Sequence, residues 1–130
     1  MIKEVSAALI VRNGKIFIAQ RPEGKPLANL WEFPGGKKEP EETLSQCLQR
    51  ELKEELNIDA EIEEFLMDTT YSYPTGTFKI NFFRVHIAND DEPQLNVHKA
   101  SAWVTPEEMK NYNFPPADEK IIYYLQKIKL

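Results

Sequence analysis

The segment from Thr43 to Asn57, TLSQCLQRELKEELN, constrains the fold of this chain more than any other. At helical spacing, side chains four apart stack in rows. One row is Leu44, Leu48, Leu52 and Leu56, and the row beside it is Cys47, Glu51 and Glu55. Glu54 falls one turn from Arg50 and Glu51, so Glu51, Glu54 and Glu55 form a triangle next to the apolar row. Both ends are specified. Thr43 and Gln46 fit a capping box, and Asn57 suits a left-handed C-terminal cap. The leucine row requires a partner layer. The glutamates repel by roughly 0.2–0.5 kcal/mol per pair in an isolated helix, and part-burial raises that cost. Two readings follow: a solvated acidic face, or carboxylates gathered for a hard divalent cation such as Mg²⁺, which takes oxygen ligands.

The flanking sequence predicts strands. SAALIV (6–11) and KIFIAQ (15–20) surround Asn13-Gly14, a hairpin signal because both residues tolerate positive φ. Residues 21–36 are rich in Pro and Gly and read as a long loop around a short extended piece. EIEEFLMDTTYSY and TFKINFFRVHIA read as long strands around Pro74-Thr75-Gly76, and SAWVT (101–105) as another. Pro106 to Met109 predicts a short helical turn. Residues 116–129 predict a closing amphipathic helix with Ile121, Tyr124, Leu125 and Ile128 on one side. Without a βαβ rhythm, the expectation is an α+β fold with a mixed sheet between helices.

Bulk properties narrow the function. A chain of 130 residues suits a single domain over 1–130. No apolar run approaches the ~20 residues of a membrane span, and the N-terminus reads as a strand rather than a secretory signal. One cysteine, Cys47, permits no intrachain disulfide and points to the cytoplasm. A net charge of -5 argues against stable DNA or RNA binding. It permits a phosphate-bearing small molecule if a metal supplies positive charge.

The spacing of Gly36, Glu42, Arg50-Glu51-Leu52-Lys53-Glu54-Glu55 and Ile58 resembles the Nudix box, a glycine, a glutamate and REUxEExGU with U apolar. The late glycine alone differs, being Asn57, a residue that also adopts the left-handed conformation. LWEFPGGK before the box and FPPADE near the C-terminus are similar to the MutT-type branch, small hydrolases of nucleoside triphosphates. The resemblance covers essentially the whole chain. It implies the Nudix α/β/α sandwich and Mg²⁺-dependent hydrolysis to a nucleoside monophosphate and pyrophosphate, with Mn²⁺ as a substitute. It also implies a nucleotide-pool role in replication fidelity and DNA repair, as monomer or homodimer.

The resemblance further implies that Glu51, Glu54 and Glu55 bind metal or activate water, with the Gly35 carbonyl as a backbone ligand. It implies that Arg50 orients the glutamates by ion pairing, the alternative being a plain i,i+4 salt bridge to Glu54, and that Glu42 ties the loop to the helix. Arg21, Glu32, Phe33, Pro34, Gly35 and Asp118 fall on the substrate side, where Trp31, Phe33 and Phe114 either wall a base or pack in the core. Related enzymes often carry a further glutamate before the strand at 101–105. His98 stands there, either as a base or as a surface residue.

By the same resemblance, Asp118 stands where the 8-oxo-dGTP branch has an asparagine, and its Pro-Ala-Asp ending is similar to that of the branch acting on CTP and modified dCTP, which weakens a strict 8-oxoguanine assignment. An ionised aspartate only accepts hydrogen bonds. Its alternative role is a helix N-cap or first-turn acid. The leading substrate is 8-oxo-dGTP, with CTP or a modified dCTP close behind. A non-catalytic nucleotide-binding Nudix module is the reading from another class.

Overall fold

A computed structural model describes residues 1–128. Strands β1 (Ile2–Arg12) and β2 (Lys15–Gln20) join at Asn13 and Gly14, where φ is 53° and 73° as the hairpin signal requires. β1 begins before the apolar run, because its first half pairs along its length with a distant strand. The predicted loop after β2 contains two short strands, β3 (Trp31–Glu32) and β4 (Gly35–Lys37). Helix α1 (Leu44–Leu56) has the capping box of Thr43 and Gln46 and ends at Asn57 with φ 53°. β5 (Glu61–Tyr73) and β6 (Gly76–His86) form a long hairpin, and β7 (Ala100–Val104) follows.

A 3-10 turn spans Glu107–Asn111 where the short helical turn was predicted. The closing helix is shorter than its periodicity suggests. Pro116–Asp118 form a 3-10 turn and α2 covers Glu119–Lys127. Lys129, the last residue of the predicted helix, lies outside the described residues. Among the described residues no helix is long and apolar enough to cross a membrane.

The seven strands make one mixed sheet, ordered β3-β2-β1-β6-β5, with β4 paired to β1 and β7 to β2. β1 runs parallel to β6 from Ile2 opposite Thr77 to Ile10 opposite Val85. On its other edge β1 pairs with β4, setting Ser6 opposite Gly36 and Ala7 opposite Gly35. Alternation along the strands divides the core into two layers. Ala8, Ile10, Phe17, Ala19, Phe83 and Val85 pack with Leu48, Leu52 and Leu56 of α1. Ala7, Leu9, Ile16, Ile18 and Phe82 pack with Ile121 and Leu125 of α2. The helices therefore cover opposite faces, which is the expected α/β/α sandwich.

Candidate active site

The acidic row of α1 lies over β4 because the leucine row is spent on the sheet. Leu48, Leu52, Leu56 and Cys47 are fully buried. Two contacts fix the helix against the strands: Ser6 Oγ donates to the Leu44 carbonyl at 2.8 Å, and Cys47 Sγ donates to the Gly36 carbonyl at 3.4 Å. The glycines are required by close approach. A Cβ on Gly35 would strike the backbone of Ser6, and one on Gly36 would strike the Glu51 carboxyl group. Pro34 is buried, and its carbonyl accepts from the Ala8 amide at 2.8 Å.

Arg50 organises the start of the cluster. It donates from Nε and Nη2 to Glu42 at 2.9 and 2.6 Å, and from Nη1 to Glu51 at 2.7 Å. The i,i+4 pair with Glu54 is longer, 3.6 Å, and Glu54 is largely exposed. Arg50 and the Glu39 amide hold the Glu42 carboxyl down at about 2. Glu42 Oε1 accepts from that amide at 2.8 Å, so Glu42 joins the box loop to α1.

Glu55 has the opposite environment. Burial first, then the charges of Glu32 and Glu51, push its carboxyl up to about 9, while a hydrogen bond from the Gly35 backbone opposes the shift. Its Oε1 is buried and finds no hydrogen-bond partner among the described residues. Glu32 links this end of the site to the other side. Its Oε1 accepts from Arg21 Nη1 at 2.9 Å, and its Oε2 lies 2.8 Å from His98 Nε2. His98 is therefore not a surface residue. Its side chain is 2% exposed, because the loop that carries it folds inward to Glu32.

Asp118 is buried; it stands at the N-cap position of α2 and in the first turn of the 3-10 segment, as the alternative reading has it, but its side chain makes no cap hydrogen bond. Burial and the charge of Glu32 push its carboxyl up to about 8, which favours the neutral acid over the ionised acceptor that the sequence suggests. Tyr73 was not singled out by sequence. Its hydroxyl accepts from the Ala117 amide at 3.1 Å, and its own proton is held more tightly by burial and by Asp118. No local signal marks a partner 44 residues away. Phe33 is a core residue, stacked on Phe114 at 5.4 Å and set edge-on to Phe82. Trp31 and Phe114 are half-buried, and Trp31 packs edge-on against Tyr112 at 4.8 Å.

Among the described residues, no three His, Cys, Asp or Glu side chains stand preassembled as a metal-ligand set. Arg50 holds Glu51, and Glu54 faces solvent. The donor chemistry nonetheless fits a hard divalent cation. Glu51 lies against Gly36, Glu55 bonds to the Gly35 backbone, and the unpartnered Oε1 of Glu55 is a buried oxygen that a cation would satisfy once the group ionises.

Fold and site together define an α+β protein whose capped helix presents Glu51 and Glu55 to a Gly-Gly strand. A family model described as NUDIX domain matches residues 6–124, and the chain belongs to the Nudix hydrolase family. It is 41% identical over 116 residues to the CTP pyrophosphohydrolase of Escherichia coli (strain K12), covering 88% of this chain and 84% of that one. It is 39% identical over 123 residues to the 8-oxo-dGTP diphosphatase of Haemophilus influenzae, covering 92% and 88%. The solution structure of the E. coli ORF135 protein superposes with a TM-score of 0.82 at 37% identity, covering 96% of this chain and 89% of that one.

Proposed function

We propose that this protein hydrolyses nucleoside triphosphates to a nucleoside monophosphate and pyrophosphate, with 8-oxo-dGTP as the leading substrate. The observation that carries the reading is the pair Glu51 and Glu55. Arg50 fixes the first, and the second is buried with an unpartnered oxygen beside Gly35. Glu51, Glu54, Glu55 and the Gly35 carbonyl would hold Mg²⁺, or Mn²⁺ in its place. When bound, the metal neutralises charge on the phosphates and lowers the pKa of water.

The chain's own residues do the rest. Arg50 orients Glu51 and leaves the substrate untouched. Glu42 pins Arg50 and the box loop, and Gly36 admits the Glu51 carboxyl group. On the substrate side, Arg21 and Glu32 form an ordered pair. Phe33 and Pro34 supply a rigid wall from the core, and Asp118 reads the base.

A protonated Asp118 donates one hydrogen bond and accepts another, as an asparagine does. That supports 8-oxoguanine. The 41% identity to a CTP pyrophosphohydrolase favours the second reading, CTP or a modified dCTP. The whole chain acts as one Nudix domain in the cytoplasm, monomeric or homodimeric, without stable nucleic-acid binding. Its role is in nucleotide-pool sanitation, replication fidelity and DNA repair. The test is pyrophosphate release from 8-oxo-dGTP, dGTP, CTP and 5-methyl-dCTP with Mg²⁺, ranked by kcat/KM. Turnover of none, with nucleotide binding retained, makes the protein a non-catalytic module instead.

A further inference from the structure

We infer that His98 is a positioning residue, which locks Glu32 on the substrate side to the last turn of the metal-binding helix. The inference rests on the nucleotide reading above and adds a specificity-determining element to that site.

Both oxygens of Glu32 are engaged. Arg21 holds Oε1 at 2.9 Å, and His98 Nε2 meets Oε2 at 2.8 Å. A carboxylate needs a donor there, so Nε2 carries the hydrogen. Nδ1 is buried without a partner among the described residues, which costs least when that nitrogen bears only a lone pair. With one nitrogen engaged and the other buried, His98 has no nitrogen free to take a proton from water at the phosphates. Among the described residues, the one polar contact of its ring is Glu32.

The loop that carries His98 is anchored at both ends. An α-helix leaves its last carbonyls without helical partners. Here the Glu55 carbonyl accepts from the Asn96 amide at 3.1 Å and the Leu56 carbonyl from the Gln94 amide at 2.8 Å. Glu54 accepts from Asn96 Nδ2 at 3.0 Å. Residues 94–96 thus complete the C-terminus of the helix that bears Glu51, Glu54 and Glu55. Past His98, the Lys99 amide donates to the Gln20 carbonyl at 3.1 Å, and Lys99 Nζ donates to Asn29 Oδ1 at 2.7 Å. The strap runs from the end of α1 to the end of β2, and His98 is its inward-pointing member. It ties the orientation of Glu32 to the position of Glu54 and Glu55. Losing it frees a carboxylate whose charge acts on both Glu55 and Asp118.

The test compares His98→Leu, His98→Asn and His98→Gln. Gln can place an amide N–H where Nε2 stands, whereas Asn falls short of Glu32 and Leu has no donor. Steady-state kinetics on CTP and 8-oxo-dGTP are paired with calorimetric binding of α,β-imido-CTP and α,β-imido-dGTP in Mg²⁺. Leu and Asn should raise KM and weaken analogue binding by about tenfold, with kcat changed less than about threefold. Gln should remain within about threefold of the parent in both. Adding Glu32→Gln to His98→Leu should cost little beyond Glu32→Gln alone, because the two residues act as one unit. A purely structural role would lower the melting temperature of Leu and Asn and leave KM and binding unmoved, which overturns the inference. A fall in kcat of about a hundredfold in Leu and Gln alike, at unchanged KM, overturns it in favour of a base. If the parent protein neither binds nor cleaves any nucleotide, the reading beneath the inference fails and takes it along.

Discussion

The guanidinium of Arg50 grips both oxygens of Glu42, from Nε at 2.9 Å and from Nη2 at 2.6 Å, while its remaining nitrogen reaches Glu51 at 2.7 Å. A planar fork satisfies two carboxylates at once, and an ammonium group cannot reproduce that geometry. Arg50→Lys keeps the charge and loses the fork. The expected result is a folded protein with kcat lowered about 10- to 100-fold, since Glu51 is no longer held. Kinetics on the best substrate, with circular dichroism on the same samples, checks it. Near-parental kcat would mean that the fork does not set Glu51.

Gly36 offers a test that leaves Glu51 chemically intact. A Cβ there would meet the Glu51 carboxyl group, the far end of a flexible side chain, so the fold can absorb the change by turning Glu51 away. Gly36→Ala should therefore lose activity as Glu51→Gln does, by about a hundredfold or more in kcat, with little change in melting temperature. Gly35→Ala should behave differently, because its Cβ would strike the Ser6 backbone, which cannot move aside. That variant should be destabilised outright.

Glu55 sets a pH dependence in metal-free protein. Its carboxyl is raised from 4.5 to about 9 in the fold, chiefly by burial. Between those values the folded state holds a proton that the unfolded chain has released. Stability then falls as pH rises through that window. Melting temperatures from pH 5 to 9 should decline, and Glu55→Gln should flatten the decline, gaining on the order of 1 kcal/mol at pH 8. Added Mg²⁺ should restore the parent at high pH and do little for the variant. A parent profile as flat as that of the variant would refute the assignment.

Asp118 decides between two hydrogen-bonding patterns. Its carboxyl titrates at about 8 through burial and the charge of Glu32, so it donates below that pH and only accepts above it. The ratio of kcat/KM for 8-oxo-dGTP over CTP should change as pH passes through 8. Asp118→Asn, which donates at every pH, should keep the ranking seen below pH 8 and remove the pH dependence of the ratio. A ratio that still changes through pH 8 in the variant would mean that Asp118 is not the reader.

The helix and its carboxylates were legible in the sequence because they are local. Thr43 and Gln46 cap each other three residues apart, Asn57 supplies the left-handed turn, and the two rows follow from helical spacing alone. The Asn13-Gly14 hairpin was legible for the same reason. The fold class followed from interleaved elements, and the Nudix resemblance placed the box within it.

Tertiary structure decided what those carboxylates experience. Glu51 and Glu55 lie in one row of one helix, yet Arg50 holds Glu51 while Glu55 is buried and kept protonated. The difference comes from Glu32 and from burial, neither of which spacing encodes. His98 and Glu32 are 66 residues apart in sequence, and Asn81 reaches back to the Val5 carbonyl across 76. Sequence determined which side chains a helix would align and how its ends would close, because those choices depend on neighbours along the chain. Burial, the partner of each charge and the protonation of Asp118 depend on which distant segments the sheet brings together, and only the assembled fold sets them.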